Sequence, residues 1–199
     1  MKKNLVVTLS DEAYVDQAKA LFSSLYWQAG WRGDYMLIAH NIPEKKLAWF
    51  KDRGILVKEF SDNVFGEAEF KKLHRESVKP TSPAHLEIVL NKFRLFTPEF
   101  RRWGNIVYLD NDVLVNASID RLLEGCGFKA VVDGAHTLRQ QFKATAENQG
   151  IYDALEAGYG FGEPAFNAGV FSFNTDLIDA DTYGSLRRLF KKYYPASYY

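Results

Sequence analysis

Six short apolar runs, each closed by polar or glycine punctuation, constrain the fold of this 199-residue chain more than any other feature. They are Leu5 to Leu9, Tyr35 to Ala39, Ile55 to Val57, Ile106 to Leu109, Ala130 to Val132 and Val170 to Phe173. Too short for helices and without polar alternation, they read as strands buried on both faces. Helical patterns lie between them. Tyr14, Ala18, Leu21 and Leu25 recur at helical spacing after Ser10-Asp11-Glu12, and Pro43 to Asp52 predicts a second helix ended near Gly54. Ser82 as cap and Pro83 at the first position predict a third. Strand alternating with helix implies one α/β domain over residues 1–199, with a mostly parallel sheet flanked by helices.

Open α/β sheets bind ligands beyond the carboxyl ends of their strands, so those ends select the residues to read. The first run ends at Thr8-Leu9-Ser10-Asp11 without a Gly-x-Gly-x-x-Gly or a Walker-type lysine loop, which excludes a dinucleotide fingerprint and a P-loop. Asp11 and Glu12 at the next helix start would repel a phosphate, leaving that end for a base and ribose. The fourth run ends in Asp110-Asn111-Asp112. If extended, Asp110 and Asp112 leave the same face roughly 6 to 7 Å apart, with Asn111 turned away. Their repulsion of about 2 to 3 kcal/mol at a dielectric of ~20 calls for a cation between them; a solvated strand-end turn is the alternative. With thirteen aspartates, one chance Asp-x-Asp is expected, and Asp179-Ala-Asp181 is read as a helix opening.

Lys92 has apolar neighbours at helical spacing, Ile88, Val89 and Phe96, so its ammonium either snorkels to solvent or meets an anion. Lys71, Lys72, Arg75 and Lys79, interleaved with Glu67, Glu69 and Glu76, read as a solvated helix face, with a lid as the alternative. Asn167-Ala168-Gly169 enters the last run as a small polar turn. Ala168 and Gly169 would let a ligand approach the backbone, and the Asn167 amide can donate to and accept from sugar hydroxyls.

Twenty-five basic residues balance twenty-five acidic ones, which argues against nucleic acid as a partner. A single cysteine, Cys126, excludes an intrachain disulfide and is expected to pack as a small residue. No stretch approaches a membrane span, and a cytoplasmic location is the expectation. The aromatic tail from Phe190 to Tyr199 is expected to pack on an element outside this chain.

Four segments in order resemble the glycogenin and lipooligosaccharide galactosyltransferase family, glycosyltransferase family 8. They are Val6 to Tyr14 with its helix to Leu25, Lys92, Ile106 to Val115 with Ile119-Asp120, and Phe166 to Val170. The resemblance implies a GT-A fold, Rossmann-like, a UDP-sugar donor, manganese or magnesium, and transfer with retention to a saccharide or glycoconjugate acceptor. It implies that Thr8, Leu9 and Tyr14 contact uridine and that Asp110 and Asp112 bind metal, with Asn111 in the same donor-binding segment. It further implies that Lys92 and Asn167 act at the donor sugar, beside Ala168 and Gly169. The family's downstream Asp-Gln and His-x-x-Gly-x-x-Lys-Pro segments have no match; His40, His74, His85 and His136 all precede Asn167. A nucleotide-sugar-binding domain without its own turnover and a metal-dependent nucleotidyltransferase are the rival readings; a homo-oligomer is left open.

Overall fold

The computed structural model describes residues 2–78 and 82–198. Its strands are β1 (Leu5–Asp11), β2 (Asp34–His40), β3 (Leu56–Glu59), β4 (Asn105–Leu109), β5 (Phe128–Thr137) and β6 (Pro164–Asn174). The helices are α1 (Val15–Trp27), α2 (Glu44–Lys51), α3 (Glu67–Glu76), α4 (Pro83–Leu90), α5 (Gln149–Gly158) and α6 (Thr182–Tyr193). All six apolar runs lie wholly or largely within strands of one sheet, ordered β3-β2-β1-β4-β6-β5. The first four strands are parallel; β6 runs antiparallel to both β4 and β5.

Alternation along the central strands divides the core into two layers. Val6, Val107 and Leu109 face α1 and α2, where they pack with Leu21, Phe22, Leu25, Leu47 and Phe50. Leu5, Val7, Ile106 and Tyr108 face the other way, onto Leu95, Phe100, Trp103 and Phe171. The second layer rests on two 3-10 turns, Asn91–Phe96 and Pro98–Arg102, which follow α4 and lead the chain back to β4. Ser82 caps α4 as its sequence requires, accepting the His85 amide at 3.2 Å.

Two expectations are corrected, those for the tail and for Cys126. The aromatic tail packs within this chain: Tyr194 and Ala196 are buried, the Lys143 amide donates to the Ala196 carbonyl, and Asn148 Nδ2 donates to the Pro195 carbonyl. Cys126 is exposed rather than packed. Asp179-Ala-Asp181 does open a helix: Asp181 is the N-cap residue of α6, though its carboxylate accepts from Ser185 and Arg188 rather than from the helix amides. On α3, Lys71 and Lys72 pair with Glu67 and Glu76, the solvated-face arrangement; Lys79 lies outside the described residues. No helix among the described residues is long and apolar enough to cross a membrane.

Asp34 ties the lower edge of the sheet together. It accepts Lys3 Nζ at 3.0 Å and the Trp103 indole N–H at 2.9 Å, joining the start of β2 to the lead-in of β1 and of β4. Partial burial would raise its pKa, but the bonds from Trp103 and Lys3 outweigh it and hold the carboxyl below its ordinary value. Asp34→Asn is therefore expected to lose roughly 1–2 kcal/mol in urea unfolding at pH 7. A depressed carboxyl stabilises above its unfolded pKa and loses that contribution as pH falls through the folded pKa. The gap between variant and wild type should accordingly narrow below about pH 4.

Candidate functional site

Strand parity carries Asp110 to its partners. Tyr108 and Asp110 are two residues apart, so both lie on the sheet face that meets the turn after α4. There the Tyr108 hydroxyl donates to Asp110 Oδ1 at 2.6 Å and Lys92 Nζ donates to the same oxygen at 3.0 Å. Lys92 also donates to the Ala168 carbonyl at 3.1 Å and lies 4.6 Å from the centre of the Tyr108 ring. Its side chain is 15% exposed, so this ammonium meets an anion rather than snorkelling to solvent. Burial pushes the Tyr108 phenol well above its ordinary pKa, and the neighbouring Asp110 carboxylate pushes it further. The hydroxyl therefore keeps its proton and remains a donor.

The Asp110–Asp112 pair is not extended. The Val113 amide donates to the Asp110 carbonyl at 3.1 Å, folding the segment into a turn that leaves Asp112 exposed. Lys92 brings a positive charge to Asp110 alone and does not bridge the two carboxylates. Nor does Asn111 simply turn away: its Nδ2 donates to the Leu9 carbonyl at 3.1 Å, tying the end of β4 to the end of β1. Beyond the turn, Ser24 of α1 accepts the Val115 amide at 3.1 Å and fixes the chain on its far side.

Two clefts meet at this turn. One, of about 310 Å³, opens between the end of β1 and α4 and is lined by Leu9, Ser10, Asp11, Tyr14, Lys92 and the Asp110–Asp112 turn, with Tyr108 and His85 in its wall. Tyr14 is half exposed there. The Asp11 carboxylate accepts the amides of Ala13 and Tyr14, so the first helical turn is already occupied by an anion. Thr8 is fully buried and its hydroxyl reaches no hydrogen-bond partner; it lies beneath this cleft rather than in its wall. The second cleft, about 350 Å³, shares Asp110 and Asp112 and adds Asn167, Gly169, Asp133, Val131 and Val132.

Gly169 is required by Asp110 itself. The Asp110 amide donates to the Gly169 carbonyl at 2.7 Å, and a Cβ on Gly169 would stand 2.6 Å from Asp110 Oδ2 and 2.8 Å from Asn167 Oδ1. The close approach anticipated from the sequence is thus made by a carboxylate of the chain. Asn167 Oδ1 accepts the Gly169 amide at 2.7 Å, leaving its NH2 group to donate. Sequence reasoning missed Tyr108, His85, Ser10 and Asp133. For Tyr108 a signal existed, since a tyrosine inside an aliphatic run needs a partner for its hydroxyl.

The chain belongs to glycosyl transferase family 8, whose model matches residues 5–185. No curated protein sequence matches it. Among solved structures it resembles a galactosyltransferase, LgtC, in complex with donor and acceptor sugar analogs: TM-score 0.64, 18% identity, over 98% of this chain and 66% of that one. It also resembles a core-mannan synthase from Aspergillus fumigatus in its Mn/GDP form, with TM-score 0.60 and 8% identity over 100% and 67% of the two chains. A third is the mannosyltransferase Ktr4p from S. cerevisiae in complex with GDP, with TM-score 0.60 and 11% identity over 97% and 63%. The fold is therefore that of the GT-A glycosyltransferases, and the chain spans about two thirds or less of the length of these structures.

Because Tyr108 and Lys92 hold Asp110 in place, a methyl group at position 169 cannot be absorbed by rotating that carboxylate away. Gly169→Ala should cost roughly 1–3 kcal/mol in urea unfolding. Gly158→Ala, on open helix surface, should be neutral or stabilise by up to about 1 kcal/mol. Equal effects at the two sites would refute the close-approach account.

Proposed function

We propose that the protein moves a hexose from a UDP-sugar to a saccharide or glycoconjugate acceptor, with retention at the anomeric carbon and with manganese or magnesium. The charge of the first cleft carries this reading. Its lining holds three carboxylates, Asp11, Asp110 and Asp112, against one ammonium, Lys92. A diphosphate brought to that wall meets net repulsion unless a cation accompanies it. The donor set suits a hard cation: Asp110 Oδ1 is taken by Tyr108 and Lys92, but Asp110 Oδ2 and both oxygens of Asp112 have no hydrogen-bond partner among the described residues. Among the described residues no third side chain is close enough to complete a group of three metal ligands with them. That is the pattern of a site completed by water and substrate oxygens. A cation held by Asp110 and Asp112 would supply charge neutralisation to the departing diphosphate.

The chain's own groups then divide the work. Tyr14 offers a ring face to the base, beside Leu9 and Ser10, while the occupied amides after Asp11 keep phosphate from that end. Thr8 supports this wall from beneath. Lys92 has spent two of its three N–H donors on Asp110 and Ala168, leaving one for an anionic oxygen of the donor. In the adjoining cleft the Asn167 amide and Gly169 border the space for the sugar, with Ala168 between them holding Lys92 through its carbonyl. The sugar complexes of the galactosyltransferase and the Mn/GDP form of the mannan synthase support both components.

A domain that binds a nucleotide sugar without turning it over is the second reading, favoured by the lack of a third side-chain ligand among the described residues. Calorimetry with UDP-glucose, UDP-galactose and GDP-mannose, with and without manganese, should show UDP-sugar binding that needs the metal and falls at least about tenfold in Asp112→Ala. Metal-independent binding, or a preference for GDP-mannose, would sink the proposal. Anomeric analysis of the product by NMR separates the transferase from the binding domain.

A further inference from the structure

A second concave site lies where α1 ends; the helix is about 20 Å long, and Tyr14 at its other end lines the first cleft. It is a cleft of about 260 Å³ walled by Phe22, Tyr26, Trp27, Tyr35 and Trp49, with Arg53 as the charged group in its lining and no carboxylate. Its rings are held in place by the core. The Tyr35 hydroxyl donates to the Trp31 carbonyl at 3.1 Å, and the Tyr35 ring meets Phe22 edge-on at 5.8 Å. Trp49 stands edge-on to Phe50 at 5.0 Å; the Arg53 guanidinium lies 4.2 Å from its ring and donates to its carbonyl at 3.1 Å. Trp27 is nonetheless 75% exposed, and Tyr26, in edge contact with it at 4.8 Å, is half exposed.

Charge narrows the occupant. Among the described residues Arg53 has no carboxylate partner, and neither does Arg32, whose guanidinium lies 5.6 Å from the Tyr26 ring. A wholly apolar segment would bury Arg53 beside nothing that could pair with it. A simple anion would leave the rings unused. A sugar ring carrying a carboxylate matches both: its C–H face lies on an aromatic face, and its acid group takes a guanidinium in a two-pronged bond. The concavity suits a single ring better than the flat surface of a bilayer. We propose that this cleft binds an acidic saccharide, as a docking site for the acceptor distant from the reaction centre. The choice of a saccharide rests on the transferase reading above. Preset rings lower the entropic cost of holding one.

Binding can be read without donor or divalent cation, so failure of the transfer reaction leaves the outcome intact. Calorimetry and saturation-transfer NMR would compare trigalacturonate with its carboxyl-reduced neutral counterpart on the wild-type chain, Trp27→Ala and Arg53→Gln. Both substituted residues are exposed, and retained melting temperature confirms the fold. The expected result is binding of the acid at least tenfold tighter than of the neutral trimer. Trp27→Ala should weaken both ligands, and Arg53→Gln should erase the difference between them. Equal binding of the two, or none by either, overturns the assignment. So does a concentration-dependent dimer, vesicle binding or UMP binding that Trp27→Ala abolishes, since each puts another occupant in the cleft.

Discussion

The Asp110 carboxylate is the point through which three separate parts of the chain are registered. Tyr108 reaches it from β4, Lys92 from the 3-10 turn after α4, and Gly169 of β6 lies against it while exchanging a backbone hydrogen bond with the same residue. Each contact requires a particular residue type. A phenylalanine at 108 would lack the hydroxyl, and any side chain at 169 would meet the carboxylate. The turn that follows is then fixed from outside, by Asn111 on Leu9 and by Ser24 on Val115. The mouth of both clefts is therefore built by the elements that build the sheet, a rigid support for precise placement of charge.

Much of the fold was legible because burial writes itself as hydrophobicity. Leu5 to Leu9 and Ile106 to Leu109 are covered on both faces, so their runs are unbroken and their strand identity is plain. The antiparallel pair was less visible. β6 begins at Pro164, well before the apolar run at Val170, because its first half carries exposed Phe166 and Asn167 along the edge of a cleft. β5 departs from regular pairing near Val131 and Val132, where side chains face open space. The tail was misjudged for a related reason: aromatic residues signal a buried face without saying which element covers it, and Tyr194 and Ala196 are covered by a part of the same chain far away in sequence.

The site was legible in its residues and less so in its geometry. Spelling and strand context brought Asp110, Asp112, Lys92 and Asn167 to notice, and all four border the two clefts that share the Asp110 turn. What spelling could not convey was that the strand stops at Leu109. An extended Asp110–Asp112 pair would have presented two equivalent carboxylates. The turn makes them unlike: Asp110 is held by two donors and partly buried, whereas Asp112 is exposed and unpaired among the described residues. Thr8 illustrates the converse error, since a residue at a strand end can lie below the cleft that its neighbour Leu9 lines.

That inequality bears on how the turn would work. Lys92 already neutralises Asp110 at 3.0 Å, so the ammonium and a cation would draw on the same carboxylate. Two positive charges at one carboxylate oppose each other, but a diphosphate arriving in the proposed reaction would offer the ammonium a second anion. Lys92 is well placed for that exchange, because its remaining anchor, the Ala168 carbonyl, belongs to the segment that borders the other cleft. Tyr108 is not displaced in the same way: it is neutral and buried, and a carboxylate can accept its hydrogen bond while binding a cation. On the proposed function, the phenol would be the fixed support of Asp110 and the ammonium its exchangeable partner, a distinction drawn from burial and charge.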